Sequence, residues 1–63
     1  MDLTDILNRL AEIDHEVTRL EGQRAVAQKA ADTAAVGQLD AEIARLKKAT
    51  ADLREEFRRR QQR

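Results

Sequence analysis

Two heptad patterns of different phase meet in the middle of the chain, between residues 27 and 36, and this mismatch limits the folds open to it. Val, Ile, Leu, Met and Phe number 15 among the 63 residues, and 12 of them lie on the two patterns. The first series is Leu3, Ile6, Leu10, Ile13, Val17 and Leu20, and the second is Val36, Leu39, Ile43, Leu46, Leu53 and Phe57. Alternating spacings of three and four mark the a and d positions of a coiled-coil seam. Because the second series is two positions out of step, one straight helix cannot keep both on one face.

The mismatch predicts that the chain turns back on itself between Ala31 and Asp32, and it favours an all-α fold. We expect an antiparallel two-helix coiled-coil hairpin in which seam residues face each other when their numbers sum to 63. Asp32 or Thr33 can cap the second helix, and Gly37 is expected inside it. The expected parts of this single domain, residues 1–63, are a first helix at about 3–30, a turn at about 30–33 and a second helix at about 33–61. One long helix with a stutter is the alternative.

The small size of the chain favours a further partner for the seam. Sixty-three residues bury too little surface for comfortable stability alone. We therefore expect the twelve apolar seam residues to support dimerisation into a four-helix bundle, or docking on a protein partner. The apolar stripe is narrow, with Leu7 and a few alanines to widen it, so a lone hairpin is the competing interpretation.

Several polar residues have predicted structural roles. Asp2 and Asp5 are spaced as a capping box at the start of the first helix. Arg24 occupies a seam position near the turn, where its charged end can reach water or Glu21. Thr50 occupies a seam position in the second helix, where its hydroxyl can bond a backbone carbonyl one turn back. We interpret both seam residues as polar positions that fix the register.

The charges beside the seam differ between the two helices. Asp14 and Glu21 take e positions of the first helix, and Lys47 and Arg54 take e positions of the second. Opposite signs therefore border an antiparallel seam on this side, which favours the hairpin.

The C-terminal end is rich in arginine, although the 12 acidic and 12 basic side chains give the whole chain a net charge of zero. That balance argues against a whole-surface commitment to nucleic acid or an anionic membrane. The residues that could contact nucleic-acid phosphates are Arg58, Arg59, Arg60 and Arg63. The same arginines can instead stabilise the negative end of the helix dipole and lie beside Asp2 and Asp5.

The composition offers little for catalysis or metal binding. The chain has no Cys, Tyr or Trp, and its one histidine, His15, takes an f position that points away from the seam. A hairpin of this size also lacks a concave pocket in which carboxylate pKa values could be separated. We expect no catalytic residues, no metal, no cofactor and no small-molecule substrate. No apolar run has transmembrane length, so we expect no membrane partner and a cytoplasmic location.

Two segments, 10–21 and 39–48, resemble stretches of small bacterial coiled-coil proteins. These include YdcH-like and SlyX-like hairpins and the helical arm of seryl-tRNA synthetases, and the size and plan are similar to the plasmid RNA-binding protein Rop. The likeness is in heptad pattern, which implies a hairpin and carries no functional residue over. We expect a non-enzymatic interaction or scaffold module that presents helical faces, and a Rop-like or architectural nucleic-acid-binding protein is the alternative.

Overall fold

A computed structural model describes residues 2–62 as two α-helices and a short turn. Helix α1 spans Leu3–Lys29, helix α2 spans Thr33–Gln61, and residues 30–32 join them. The two helices pack against each other in a body of 50 × 15 × 13 Å. The predicted all-helical hairpin is therefore confirmed, and the single long helix does not occur.

The start of α1 carries the predicted capping box. The Asp5 N–H donates to the Asp2 carboxylate at 2.9 Å, and the Asp2 N–H donates to the Asp5 carboxylate at 3.4 Å. These bonds satisfy backbone donors at the helix start that have no partner inside the helix. The two negative charges also suit the positive end of the helix dipole.

The turn is closed by a Schellman motif, which was not predicted from the sequence. The Asp32 N–H donates to the Ala27 carbonyl at 2.9 Å, and the Ala31 N–H donates to the Gln28 carbonyl at 3.1 Å. Ala31 has a φ of 56°, in the left-handed region where helix ends usually place glycine. Without a glycine at this position, the turn lacks the usual sequence signal of a Schellman motif.

The start of α2 is capped by Asp32. Its carboxylate accepts a hydrogen bond from the Ala35 N–H at 3.1 Å, and Thr33 is the first residue of the helix. Of the two predicted candidates, Asp32 is therefore the one that caps the helix. Gly37 lies inside α2, as expected, with open space where a Cβ would stand.

The buried core is one side chain deep and depends mainly on α1. Ile6, Ile13, Leu20 and Ile43 are 0%, 3%, 3% and 8% exposed. The half-buried members of the predicted seam are Leu10, Val17, Val36, Leu39, Leu46, Leu53 and Phe57. Leu3, the remaining member, is 38% exposed. Much of the predicted seam therefore still contacts solvent in the hairpin.

Both polar seam residues are satisfied within the chain. The Thr50 hydroxyl donates to the Leu46 carbonyl at 3.1 Å, which confirms the predicted bond one turn back. The Arg24 guanidinium binds the Asp40 carboxylate through two nitrogens and donates to the Gln28 side chain at 3.2 Å. The partner of Arg24 is thus an acid of the opposite helix, rather than water or Glu21 of its own. The Asp40 hydrogen bonds raise the pKa of Arg24, so the pair stays ionised.

Candidate interaction surface

One side of the helix seam is an open groove, which we call the central groove. Its α1 wall consists of Leu10, Ala11, Asp14 and Val17, and its α2 wall consists of Lys47, Thr50, Ala51 and Arg54. Leu10, Val17 and Thr50 are half-buried, whereas the alanines and the charged residues are exposed. The groove therefore combines an apolar floor, small residues that permit close approach, and charges of both signs.

The groove exists because α1 has two apolar columns and α2 covers only one of them fully. Successive residues turn by about 100° around a helix, so side chains seven apart share a column. The column of Ile6, Ile13 and Leu20 is almost completely buried, whereas Leu10 and Val17 of the adjacent column line the groove. The partly open column of Leu10 and Val17 extends toward the chain ends and adds apolar surface there.

Two exposed leucines extend this surface beyond the central groove. Leu3 is seven residues from Leu10 and is 38% exposed. Leu7 is three residues before Leu10 and four before Ala11, so it shares their side of α1, and it is 52% exposed. We refer to the central groove together with Leu3 and Leu7 as the groove face.

The charged residues of the central groove have no ionic partner in the described part of the hairpin, residues 2–62. Five ion pairs occur among residues 2–62, and Asp14, Lys47 and Arg54 take part in none of them. Three of the four predicted e-position charges therefore line one groove without pairing there, and Glu21 is not among the lining residues. They remain available to another molecule.

The opposite side of the seam has a different character. Arg9 pairs with Glu12 at 3.3 Å, and Arg19 binds Glu16 through two nitrogens. The Arg19 hydrogen bonds hold the pKa of Glu16 below its usual value. Ile13 lies beneath these charges and is buried. This face is neutralised by its own residues and offers less apolar surface than the groove face.

The C-terminal arginines are largely compensated by acids of their own helix. Arg58 pairs with Glu55 at 3.4 Å, and Arg60 pairs with Glu56 at 3.0 Å. Pairing within a helix reduces the positive potential that a phosphate would meet. These arginines were predicted from the sequence as possible phosphate contacts, but their ion pairs with Glu55 and Glu56 were not predicted.

The remaining arginine candidates add little to a phosphate site. Arg59 lines a shallow recess together with Arg60 and the capping residue Asp2, so the recess carries both signs of charge. Arg63 lies outside the described residues. The predicted proximity of the arginine end to the start of α1 is therefore observed at Asp2.

Other classes of site find no support in the described chain. His15 is exposed on α1, and residues 2–62 contain no group of three or more His, Cys, Asp or Glu side chains arranged to hold a metal ion. Neither of the two described helices has the length and apolar character needed to cross a membrane.

The central groove is the feature that sequence reasoning did not assemble. Leu10 and Val17 were predicted in the seam, Asp14 beside it, and Ala11 among the alanines that widen the stripe. The prediction did not combine them with Ala51 into one groove. The sequence does contain a signal for the groove, because a small residue follows an a position in both helices. Ala11 follows Leu10, and Ala51 follows Thr50. No family model, curated protein or solved structure matches this chain.

Proposed function

We propose that the hairpin is a non-enzymatic interaction module that docks its groove face on helices of a protein partner or of a second copy. In the self-associated form, two antiparallel coiled-coil hairpins make a four-helix bundle. The observation that carries this proposal is the one-sided exposure of the seam. The column of Ile13 is buried, whereas the column of Leu10 borders an open groove whose charges have no partners among residues 2–62.

The energetics of a small hairpin support the same proposal. Fully burying a large apolar side chain contributes roughly 1.5–3 kcal/mol, and among residues 2–62 only four large apolar side chains are buried. Ordering the backbone costs roughly 1–2 kcal/mol for every residue. Covering Leu3, Leu7, Leu10 and Val17 would add apolar burial without ordering more chain. A partner on the groove face is therefore a source of stability that the hairpin alone lacks.

Photo-crosslinking tests the proposal directly. We would place a photoreactive amino acid at Ala51, in the central groove, and in a second variant at Ala41, an exposed position of α2 that does not line the groove. Both replace an exposed alanine of the same helix, so the second is a matched control. The variants would be expressed in the native host, illuminated, and examined for adducts by mass.

The two positions should give different results. We expect a discrete adduct from Ala51 and much less from Ala41, because only the first lies against a partner. An adduct of twice the chain mass identifies self-association, and an adduct of another mass identifies a different protein. Equal labelling at both positions, or none at either, would contradict docking at the groove face.

Nucleic-acid binding through the arginine end stays a prediction. The ion pairs of Arg58 and Arg60 do not favour it, because they reduce the positive charge open to a phosphate.

A further inference from the structure

We infer that the occupant of the groove face is a second copy of this chain, packed face to face with both turns at the same end. In this arrangement α1 of each copy lies over α2 of the other, and the two-fold axis runs parallel to the helices. The inference rests on the proposed function, because it assumes that the groove face is the docking surface. It adds the identity and the orientation of the partner.

Charge complementarity selects this orientation. The unpaired charge on the α1 wall is Asp14, and those on the α2 wall are Lys47 and Arg54. A two-fold axis along the helices brings each α1 wall against the α2 wall of the other copy. Every acidic wall then meets a basic wall, and this occurs twice in the dimer.

The axial positions of the charges also agree. Asp14 and Thr50 line the same stretch of the groove, and a two-fold axis along the helices keeps these heights unchanged. Facing residues have numbers that sum to 63, so Asp14 is level with residue 49. At 1.5 Å per residue, Lys47 and Arg54 of the other copy then stand about 3 and 7.5 Å on either side of Asp14. Both side chains are long enough to reach the carboxylate. Asp40, seven residues before Lys47 in the same column of α2, is already held by Arg24.

The other face-to-face arrangement brings like charges together. With the two-fold axis across the helices, α1 lies on α1 and α2 lies on α2. The α1 wall with Asp14 then faces the α1 wall of the second copy, and the α2 wall with Lys47 and Arg54 faces the α2 wall. Like-charge contacts at an interface cost stability and suppress wrong orientations.

The size of the face suits a stable dimer. The hairpin is 50 Å long and 15 Å wide. One whole side of the hairpin, of which the groove face is the part toward the chain ends, has about 750 Å². This is close to the roughly 800 Å² that each partner contributes to a standard interface. Ala11 and Ala51 allow the helices to approach, and Leu7, 52% exposed in the hairpin, lies within this face.

Charge-reversal variants, measured alone and as a mixture of two variant chains, test the inference. The two variants are Asp14→Lys and the double variant Lys47→Glu/Arg54→Glu, and the control is Asp52→Lys, an exposed α2 residue outside the groove. Sedimentation equilibrium would measure the dimer dissociation constant of each, with circular dichroism to verify helicity. We expect each groove variant alone to dimerise roughly ten- to a hundredfold more weakly than wild type. An equimolar mixture of the two should regain the wild-type constant within about threefold, because both seams of the mixed dimer pair opposite charges.

Rescue in the mixture separates contacts between copies from contacts within a hairpin. Each variant chain keeps its altered charges in the mixture, so recovery can come only from the second copy. The triple variant, which carries all three changes in one chain, should also dimerise like wild type and covers the case in which a single variant folds poorly. A wild-type dimer that Asp14→Lys does not weaken, or a mixture that does not recover, would overturn the orientation while leaving the groove face as a docking surface. A monomeric wild type would overturn the second copy as occupant, and the crosslinking at Ala51 then decides independently whether another protein docks there.

Discussion

The turn offers a quantitative prediction, because Ala31 adopts a backbone conformation that favours glycine. Its φ of 56° brings the Cβ close to neighbouring backbone atoms. Left-handed backbone costs an L-residue roughly 1–2 kcal/mol. We therefore expect Ala31→Gly to stabilise the protein, since glycine adopts this conformation without that cost and keeps both hydrogen bonds of the Schellman motif.

The expected gain is smaller than the strain that is relieved. Glycine loses more conformational entropy on folding than alanine does, by roughly 0.5–1 kcal/mol. The net stabilisation should be about 0.5–1 kcal/mol. For a domain of this size that corresponds to a rise in melting temperature of roughly 2–8 °C. Thermal unfolding followed by circular dichroism at one fixed protein concentration measures it.

Ala30→Gly provides the matched control. Ala30 has a φ of −80° and a ψ of 0°, so alanine is unstrained there and glycine brings only its entropic cost. We expect this variant to melt below wild type. If Ala31→Gly melted no higher than wild type, or fell as far as Ala30→Gly does, the strain assigned to Ala31 would be wrong.

Three further predictions concern the core, the pH dependence and the arginine end. Ile13→Ala should lower the free energy of unfolding by roughly 2–5 kcal/mol, and circular dichroism should show the loss of most of the helicity. Leu7→Ala should change the free energy of unfolding of a lone hairpin by less than about 0.5 kcal/mol. A larger loss for Leu7→Ala would show that Leu7 is covered in solution. Because Arg19 holds the pKa of Glu16 below its usual value in the folded state, the pair contributes stability above that usual value and loses it as the pH falls through the lowered one. Glu16→Gln should therefore flatten the acid side of a plot of stability against pH, and an unchanged acid side would contradict the pairing. Replacing the arginines at 58–60 with glutamine should abolish any salt-sensitive retention on RNA or DNA, and the nucleic-acid function is wrong if wild type is not retained at low ionic strength.

The fold was largely predictable because its main determinants are local or periodic. The two phases of the heptad pattern required a reversal, and the capping box at Asp2 is a short-range signal that needs no tertiary context. The hydroxyl bond of Thr50 also depends only on its own helix turn. The hydrogen bonding of the turn was less predictable from the sequence, because a Schellman motif usually has glycine at the position that Ala31 occupies here.

The interaction surface was less predictable, because it depends on how far each helix rotates toward the other. A heptad pattern treats the columns of Ile13 and Leu10 as equivalent halves of one seam. In the hairpin the first column is buried and the second borders a groove, and this difference comes from packing rather than from residue type. The partner of Arg24 was missed for a related reason, since Asp40 is 16 residues away and is brought near only by the turn.

The distribution of ion pairs explains why a partner matters most at the open end of the hairpin. Among residues 2–62, the pair that joins the two helices is Arg24 with Asp40, close to the turn, and the other four lie within one helix. Toward the chain ends, α1 and α2 are held together by apolar contacts, which have little directional preference. A second copy that sets Asp14 against Lys47 and Arg54 would supply the missing directional contacts in that half. Amide hydrogen exchange should therefore be slower in the helix segments beside the turn, residues 20–27 and 36–43, than near the chain ends in dilute protein. The difference should narrow as the concentration rises and the groove face becomes covered.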